Sequence, residues 1–397
     1  MKARGKIIAL ALALTMLLAF APIPSESGKV VIAFDISHRQ SPEGLELLAN
    51  MTKDYYRVLI AYDQSDLERV PEATLKLFNE VRMGGFTREN LVDVDILLIG
   101  QPEALPRPGE VDVLKEWFSK PNKALWIAAD SDFPAQGSER AQQFMNIVLE
   151  ALGSSIRIDY ISVEEYTENI GGAPYRVVGV VDPSPEIRFL AEGLTHHRVL
   201  FHGPGGLYVL VGGKPINPVK QLDLKPKNVY IVVRTTENSK IVENSPVERG
   251  GLPPVFYDPL DDAVNKGPFP LMLVETFPNN RVIIASSETM YGGYRHMIVE
   301  KYLNRPLDGP VFVGNVLKFL VSVVSKPLVV TETKTVTQTQ TLTETKPITI
   351  IQVQTETVQV GVSTPIAAAI AIIALIIGAA AVLLGFVFVL LSFLLRR

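Results

Sequence analysis

The sequence predicts a doubly wound α/β domain over residues 28 to 326, and three observations carry that reading. Short runs that are apolar at every position recur along the first half, amphipathic stretches with helical spacing separate them, and Asp, Gly or Pro stops each run. Strands that do not alternate apolar with polar are buried on both faces. That is the condition of a mostly parallel sheet covered by helices on each side.

Lys29–Phe34 is the first such strand and ends at Asp35. Ser41-Pro42 then reads as an N-cap with proline at the first helical position, ahead of apolar Leu45, Leu47, Leu48 and Met51. Arg57–Tyr62 is a second strand, Pro71 to about Val81 a helix, and Gly84-Gly85 a turn. Asp95–Ile99 is a third strand, stopped by Gly100-Gln101-Pro102, and Val111–Phe118 has helical spacing. Ala124–Ala129 is a fourth strand that ends at Asp130-Ser131-Asp132. A helix follows from about Glu139 to Leu152, with Gly153 as its C-terminal cap. Beyond Ser154 the runs shorten to Arg176–Val181, Val199–Phe201 and Leu207–Val211, punctuated by Gly and Pro. A β-rich insertion of antiparallel pieces is therefore expected over about 154 to 227. Val229–Val233 and Arg281–Ala285 return to core strands, Gly250–Pro270 is a polar, proline-rich excursion, and Pro310–Val324 is a closing helix.

The chain has 397 residues, no cysteine and a formal net charge of −4. The absence of cysteine removes disulfides, thiolate nucleophiles, cysteine-ligated zinc and iron–sulfur clusters together. The near-neutral charge gives no electrostatic reason for a nucleic-acid partner. A mean hydropathy of +0.21 is high for a soluble protein, and the apolar residues concentrate at the two ends.

Lys2, Arg4 and Lys6 precede an uncharged apolar run from Ile7 to Phe20, the pattern of a secretory signal peptide over residues 1–27. Ala19-Phe20-Ala21 has the form of a cleavage site but Pro22 follows it directly, so cleavage nearer Ser25 or Ser27 and retention as an anchor both remain open. Residues 365–397 read as a transmembrane helix and a short tail. The run from Ile366 to Leu395 is uncharged and longer than the roughly 20 apolar residues a spanning helix needs. Arg396 and Arg397 favour the cytoplasmic side, which leaves the N-terminal domain extracytoplasmic on a single-pass membrane protein.

Between domain and membrane, residues 327–364 carry threonine at every second position from Thr331 to Thr345, with charged or polar residues between. This reads as an extended stalk whose hydroxyls suit glycosylation; the same period also suits a sheet edge or a stacking segment. Asn50-Met51-Thr52 is an acceptor sequon. The threonine stalk, the cysteine-free exported chain and the arginine tail point to a prokaryotic, archaeal and thermophilic source.

Three segments together resemble the class I glutamine-amidotransferase-like superfamily, and within it the non-catalytic branch of intraflagellar-transport-type and gliding- or ABC-associated extracytoplasmic proteins. They are Val31-Ile-Ala-Phe-Asp35-Ile-Ser-His38, Leu190-Ala-Glu-Gly-Leu-Thr195-His-His-Arg-Val-Leu-Phe-His-Gly203, and Asn280-Arg-Val-Ile-Ile-Ala-Ser-Ser-Glu288-Thr-Met-Tyr291. The resemblance covers residues 28 to 326 and implies a flavodoxin-like sheet without implying an activity. Catalytic members need a cysteine nucleophile on a tight strand-to-helix turn. Here the fourth strand ends Ala128-Ala129-Asp130-Ser131-Asp132, so thiolate-dependent amidotransfer is excluded.

Asp35 and His38 follow the first strand, at the carboxyl edge where open α/β sheets bind ligands. Gln101, Asp130, Ser131 and Asp132 belong to the same rim, and Glu288 joins them if Arg281–Ala285 lies in the same sheet. Carboxylates beside a histidine suit a ligand, a metal or acid–base work. The plainer reading is that they cap helices and satisfy turn backbone. Ser131 lacks a Gly-x-Ser-x-Gly elbow. His196, His197 and His202 are close in sequence, but adjacent histidines of a strand face opposite ways, which favours a surface role. Gly203–Gly206, Gly212-Gly213 and Gly292-Gly293 are turns without a phosphate-loop ending, and Asp258, Asp261 and Asp262 lack calcium-loop spacing.

No cofactor, metal or catalytic residue is expected, and Asp35, His38, Gln101, Asp130, Ser131, Asp132 and Glu288 are the candidate ligand-binding set. The function expected is a non-enzymatic cell-surface binding or scaffold protein, presenting its domain to a ligand or to partner subunits of a transport or envelope assembly. Its rivals are an extracytoplasmic hydrolase, carbohydrate-directed in one version, that uses the carboxylate/histidine rim, and a structural surface-layer component.

Overall fold

Strand β1 (Val31–Asp35) lies at the point where the strand order of an eleven-stranded central sheet reverses. The computed structural model describes residues 29–134, 139–293, 296–327, 329–338 and 352–361. β2 (Tyr56–Ala61) and β3 (Glu80–Met83) lie on one side of β1, and β4 (Ile96–Ile99) and β5 (Ala124–Ala128) on the other, all parallel. The helices of this half are α1 (Leu45–Met51), α2 (Gln64–Glu68), α3 (Glu72–Leu75), α4 (Arg88–Leu91), α5 (Glu110–Ser119) and α6 (Arg140–Ala151).

The later strands are β6 (Ile156–Ile158), β7 (Ser162–Glu165), β8 (Asn169–Ile170), β9 (Ala173–Val181), β10 (Arg198–His202), β11 (Leu207–Val211), β12 (Lys214–Ile216), β13 (Val229–Arg234), β14 (Ser239–Val242), β15 (Pro270–Phe277) and β16 (Arg281–Ser286). β16 pairs in parallel with β5, and from there the sheet continues antiparallel through β15, β13, β9 and β10, with β8 on β9. The segments β6, β11 and β12 form a three-stranded sheet, and β7 pairs with β14. The small pair β17 (Lys301–Tyr302) and β18 (Arg305–Pro306) precedes the closing helix α7 (Gly309–Val324).

The apolar strands sort their side chains by the two-residue period. Ile32 and Phe34 of β1 face the layer of α1 and α7, where Leu48, Phe312 and Val316 pack. Val31 and Ala33 face α5 and α6, with Leu114, Trp117, Phe144 and Val148. Both tryptophans of the chain, Trp117 and Trp126, are buried in these layers and therefore report on this domain.

Several expectations are corrected. The parallel strands run β3-β2-β1-β4-β5, whereas a flavodoxin-like sheet has the order 2-1-3-4-5. α1 starts after Gly44 in the left-handed conformation, φ 79°, rather than at Ser41-Pro42. The helix predicted from Pro71 to Val81 stops at Leu75, because Asn79 exchanges hydrogen bonds with Arg57 and draws the chain alongside β2 as β3. β15 follows the proline-rich excursion and has no local polar alternation to announce it; six of its eight residues are buried. No helix among the described residues is long and apolar enough to cross a membrane. The predicted signal peptide (1–27) and transmembrane segment (365–397) lie outside the described residues. In the threonine-rich segment, β19 (Val329–Gln338) pairs antiparallel with β20 (Gln352–Gly361), Thr333 opposite Thr357 and Thr335 opposite Thr355.

The reversal between β1 and β4 is where an open α/β sheet ordinarily leaves a ligand crevice. Here Tyr291, fully buried, occupies it. Its hydroxyl donates to the Asp35 carbonyl and accepts from the Gly100 N–H at 2.8 Å. A Cβ at Gly100 would lie 2.8 Å from the Tyr291 ring, so the close approach requires glycine. Tyr291→Phe should leave both backbone groups without this partner and lower stability by about 1–3 kcal/mol. Urea unfolding followed by tryptophan fluorescence measures the loss.

Candidate functional site

The end of β1 carries a buried ionic lock. Asp35 accepts hydrogen bonds from the Ser37 N–H at 2.9 Å, the Ser37 hydroxyl at 2.6 Å and the Gln40 amide at 2.5 Å. His38 lies between two carboxylates, with Nδ1 2.9 Å from Asp35 and Nε2 2.9 Å from Glu110. Phe86 and Phe144 pack on the imidazole with ring centroids at 4.9 and 4.8 Å. Burial pushes the imidazole pKa down, but the two carboxylates more than offset this and raise it to about 9. Burial pushes Glu110 up, and the His38 contact with the amides of Arg107 and Phe86 outweighs that and holds it below its ordinary value. Asp35 and His38 are therefore not on an open rim. They tie β1 to the first turn of α5, which corrects the expectation that they meet a ligand.

A raised imidazole pKa means that the folded chain binds this proton more tightly than the unfolded chain, whose value is near 6.5. The contribution is full below about pH 6.5 and is lost as the pH rises through about 9, by up to about 3 kcal/mol. Unfolding free energies measured across this window should fall with rising pH, and Glu110→Gln should flatten the slope.

A second acidic group sits where β5 and β16 end side by side. The Asp130 carboxylate accepts from the Ser131 N–H at 2.7 Å and from the Gln101 side chain. Glu288 accepts from the backbone N–H groups of His202 and Thr289. Burial raises both carboxyls well above the ordinary range, and for Glu288 the neighbouring Asp130 charge adds to this. Asp132 is also raised by burial; it accepts from the Ser162 hydroxyl at 2.6 Å and from the N–H groups of Asn244 and Ser245 at 2.6 and 3.0 Å. It ties β7 to the loop after β14.

Because both carboxyls of the pair titrate higher folded than unfolded, the stability they lend is present below their unfolded values and is lost as the pH rises through the folded ones. Glu288→Gln keeps an acceptor for the His202 N–H and should be at least as stable as the parent at pH 8. Glu288→Ala removes the acceptor and should lose about 1–3 kcal/mol in the same unfolding measurement.

Above this carboxyl pair, at the same edge of the sheet, opens a cavity of about 490 Å³ lined by Ser131, Phe133, Ser162, Glu164, Tyr175, His202, Gly203 and Asn244. Of the predicted set, Ser131 lines the cavity. Asp130 and Glu288 support its floor through the backbone of Ser131 and His202, and Asp132 braces Ser162 and Asn244. Gln101 reaches this group through Asp130, while Asp35 and His38 belong to the separate lock.

His202, half-buried at the cavity wall, stacks on His296, centroids 4.8 Å apart, with Tyr175 edge-on at 5.3 Å. Burial and the Arg176 charge hold its pKa below the ordinary value. The amides of Thr195 and His196 are bound by Asp308. No group of His, Asp or Glu among the described residues is arranged to hold a metal ion. Phe133, Ser162, Glu164, Tyr175 and Asn244 escaped sequence reasoning because no local motif joins them.

No family model and no curated protein matches the chain. Among solved structures the chain is similar to one described as the mmIFT52 N-terminal domain, at 13% identity and a TM-score of 0.42, covering 74% of this chain and 97% of that one. It is also similar to a ribokinase-like superfamily protein of Enterococcus faecalis V583, at 13% identity and a TM-score of 0.19, covering 35% of this chain and 62% of that one. At these scores neither likeness bears on the fold or the function.

Proposed function

We propose that the protein is a non-enzymatic binding protein of the cell surface, anchored by residues 365–397, whose ligand occupies the cavity bounded by Ser131, Tyr175, His202 and Asn244. The amidotransferase-like relationship and the presentation of the domain to partner subunits belong to the same proposal. The observation that carries it is the cavity itself. It has the size of a small-molecule pocket, it lies at the carboxyl edge of the sheet, and it combines aromatic walls with a few braced polar groups. The acid and histidine groups that suit catalysis are largely engaged elsewhere, with Asp35 and His38 in the lock and Asp132 in bracing a loop.

Native mass spectrometry of the full-length chain extracted from its own membrane tests the reading. A small molecule is expected to travel with the protein and to be lost in Tyr175→Ala. If the parent carries no added mass, and a low-molecular-weight extract of its cell envelope leaves its melting temperature unchanged, the binding reading fails.

The hydrolase reading keeps one favourable observation, that Ser131 and His202 line the same cavity. Against it, the Ser131 hydroxyl accepts the Phe133 N–H at 3.2 Å, as a turn cap does. A fluorophosphonate probe is expected to leave Ser131 unlabelled, and labelling abolished by Ser131→Ala would favour the hydrolase.

A further inference from the structure

Granted the membrane anchor of the proposed function, we infer that the amino-terminal edge of the central sheet is an interaction surface that rests on an anionic lipid bilayer. This is the edge where β1, β2, β4, β5, β13 and β16 begin. The path of the chain after α7 and the charge of the edge it leaves carry the inference independently.

α7 ends at this edge. The Asn280 side-chain amide, just before β16, donates to the Lys326 carbonyl at 3.2 Å and to the Asn122 side-chain oxygen at 2.9 Å. The threonine-rich segment that follows turns back on itself. β19 leads away and β20 returns, with Val329 opposite Gly361, a pairing that puts the two backbones about 5 Å apart. The uncharged run beginning at Ile366 follows Gly361 closely in the chain. Chain length therefore keeps the start of that run within about 35 Å of Lys326, where a fully extended stalk would allow about 140 Å. The anchor and the base of the domain are neighbours.

That base is basic. Lys120, Lys227 and Lys326 are exposed and form no ion pair among the described residues. The turn between β15 and β16 gathers them: the Asn122 N–H donates to the Asn279 carbonyl at 2.9 Å, and the Thr276 N–H donates to the Asn228 carbonyl at 2.9 Å. Arg281 joins them, its guanidinium donating to the Pro278 and Phe118 carbonyls at 3.0 and 3.2 Å and lying against the Phe118 and Phe277 rings. The carboxylates of this end are mostly used inside the domain. Asp95 pairs with Lys123 at 3.3 Å, Glu80 and Asp93 hold Arg82, and Glu275 accepts from Ser154 and Ser155. Asp54 and Glu150 are exposed, against Lys53 and the four cations around the turn. A headgroup layer is the anionic partner that the chain's own path brings to this edge, and the cavity at the carboxyl edge then faces away from the membrane.

Amide hydrogen exchange of the full-length chain in nanodiscs of phosphatidylcholine, alone or mixed with phosphatidylglycerol, tests this. Segments 118–122, 226–228 and 276–281 should exchange more slowly in the phosphatidylglycerol discs, with the 101–108 loop at the carboxyl edge unchanged. High salt should abolish the difference. Lys120→Gln, Lys227→Gln and Lys326→Gln should each cut the extra protection about fivefold, with the tryptophan-monitored unfolding curve preserved. Equal exchange in the two kinds of disc overturns the docking surface and leaves the anchor standing, as does a difference that survives both high salt and the three substitutions together. A chain that does not co-elute with the discs overturns the anchor, and the docking surface falls with it.

Discussion

The contact on which the carboxyl edge depends is the His38 imidazolium held between Asp35 and Glu110. It joins the end of the strand at the sheet's reversal to the first turn of the helix that follows β4, with both ring nitrogens satisfied and both carboxylates further hydrogen-bonded. Removing one partner would leave an uncompensated charge in the interior, which costs far more than a surface pair. The turn from Ile36 to Gln40 takes its shape from these bonds, and the Glu103 and Ala104 amides then dock on the His38 carbonyl. The loops after β1 and β4 are thereby fixed to one another.

With those loops fixed, the edge divides into compartments. Tyr291 fills the crevice between β1 and β4, and its hydroxyl completes the backbone bonding of both strand ends. Next along the sheet, β5 and β16 bring Asp130 and Glu288 together under low solvation, and these carboxyls orient the residues above them through the Ser131 and His202 amides. The cavity above this pair lies beyond, where β10 and the start of β9 complete its wall. The crevice between β1 and β4 is closed, and the cavity lined by Ser131, Tyr175 and His202 sits over the junction with the antiparallel half.

The candidate residues were legible in the sequence to differing degrees, and the differences have physical causes. Asp35 and His38 carried the right signal, polar groups just after an apolar strand, but that signal cannot distinguish a ligand contact from an internal lock. The distinction rests on Glu110, seventy-two residues from His38 along the chain. Asp130 and Ser131 were placed at the correct edge because the strand before them is unmistakable. Glu288 depended on β16 lying beside β5, which the sequence could only make conditional. Glu164, Tyr175 and Asn244 had no signal, because each is an ordinary polar or aromatic residue until β9 and the β7–β14 pair bring them to one cavity.

The sequence by itself determined the cores of β1, β2, β4 and β5 and the places of α5 and α6, because burial on both faces of a sheet imposes a composition that local patterns reveal, whereas the half-exposed β3 carries no such pattern. It also excluded thiolate chemistry. The tertiary structure alone decided that the antiparallel strands extend the central sheet, that Tyr291 closes the β1–β4 crevice, and which polar groups line the cavity. Each of those outcomes is set by pairing between distant segments, and the free energy of a long-range contact leaves no periodicity in the residues that make it.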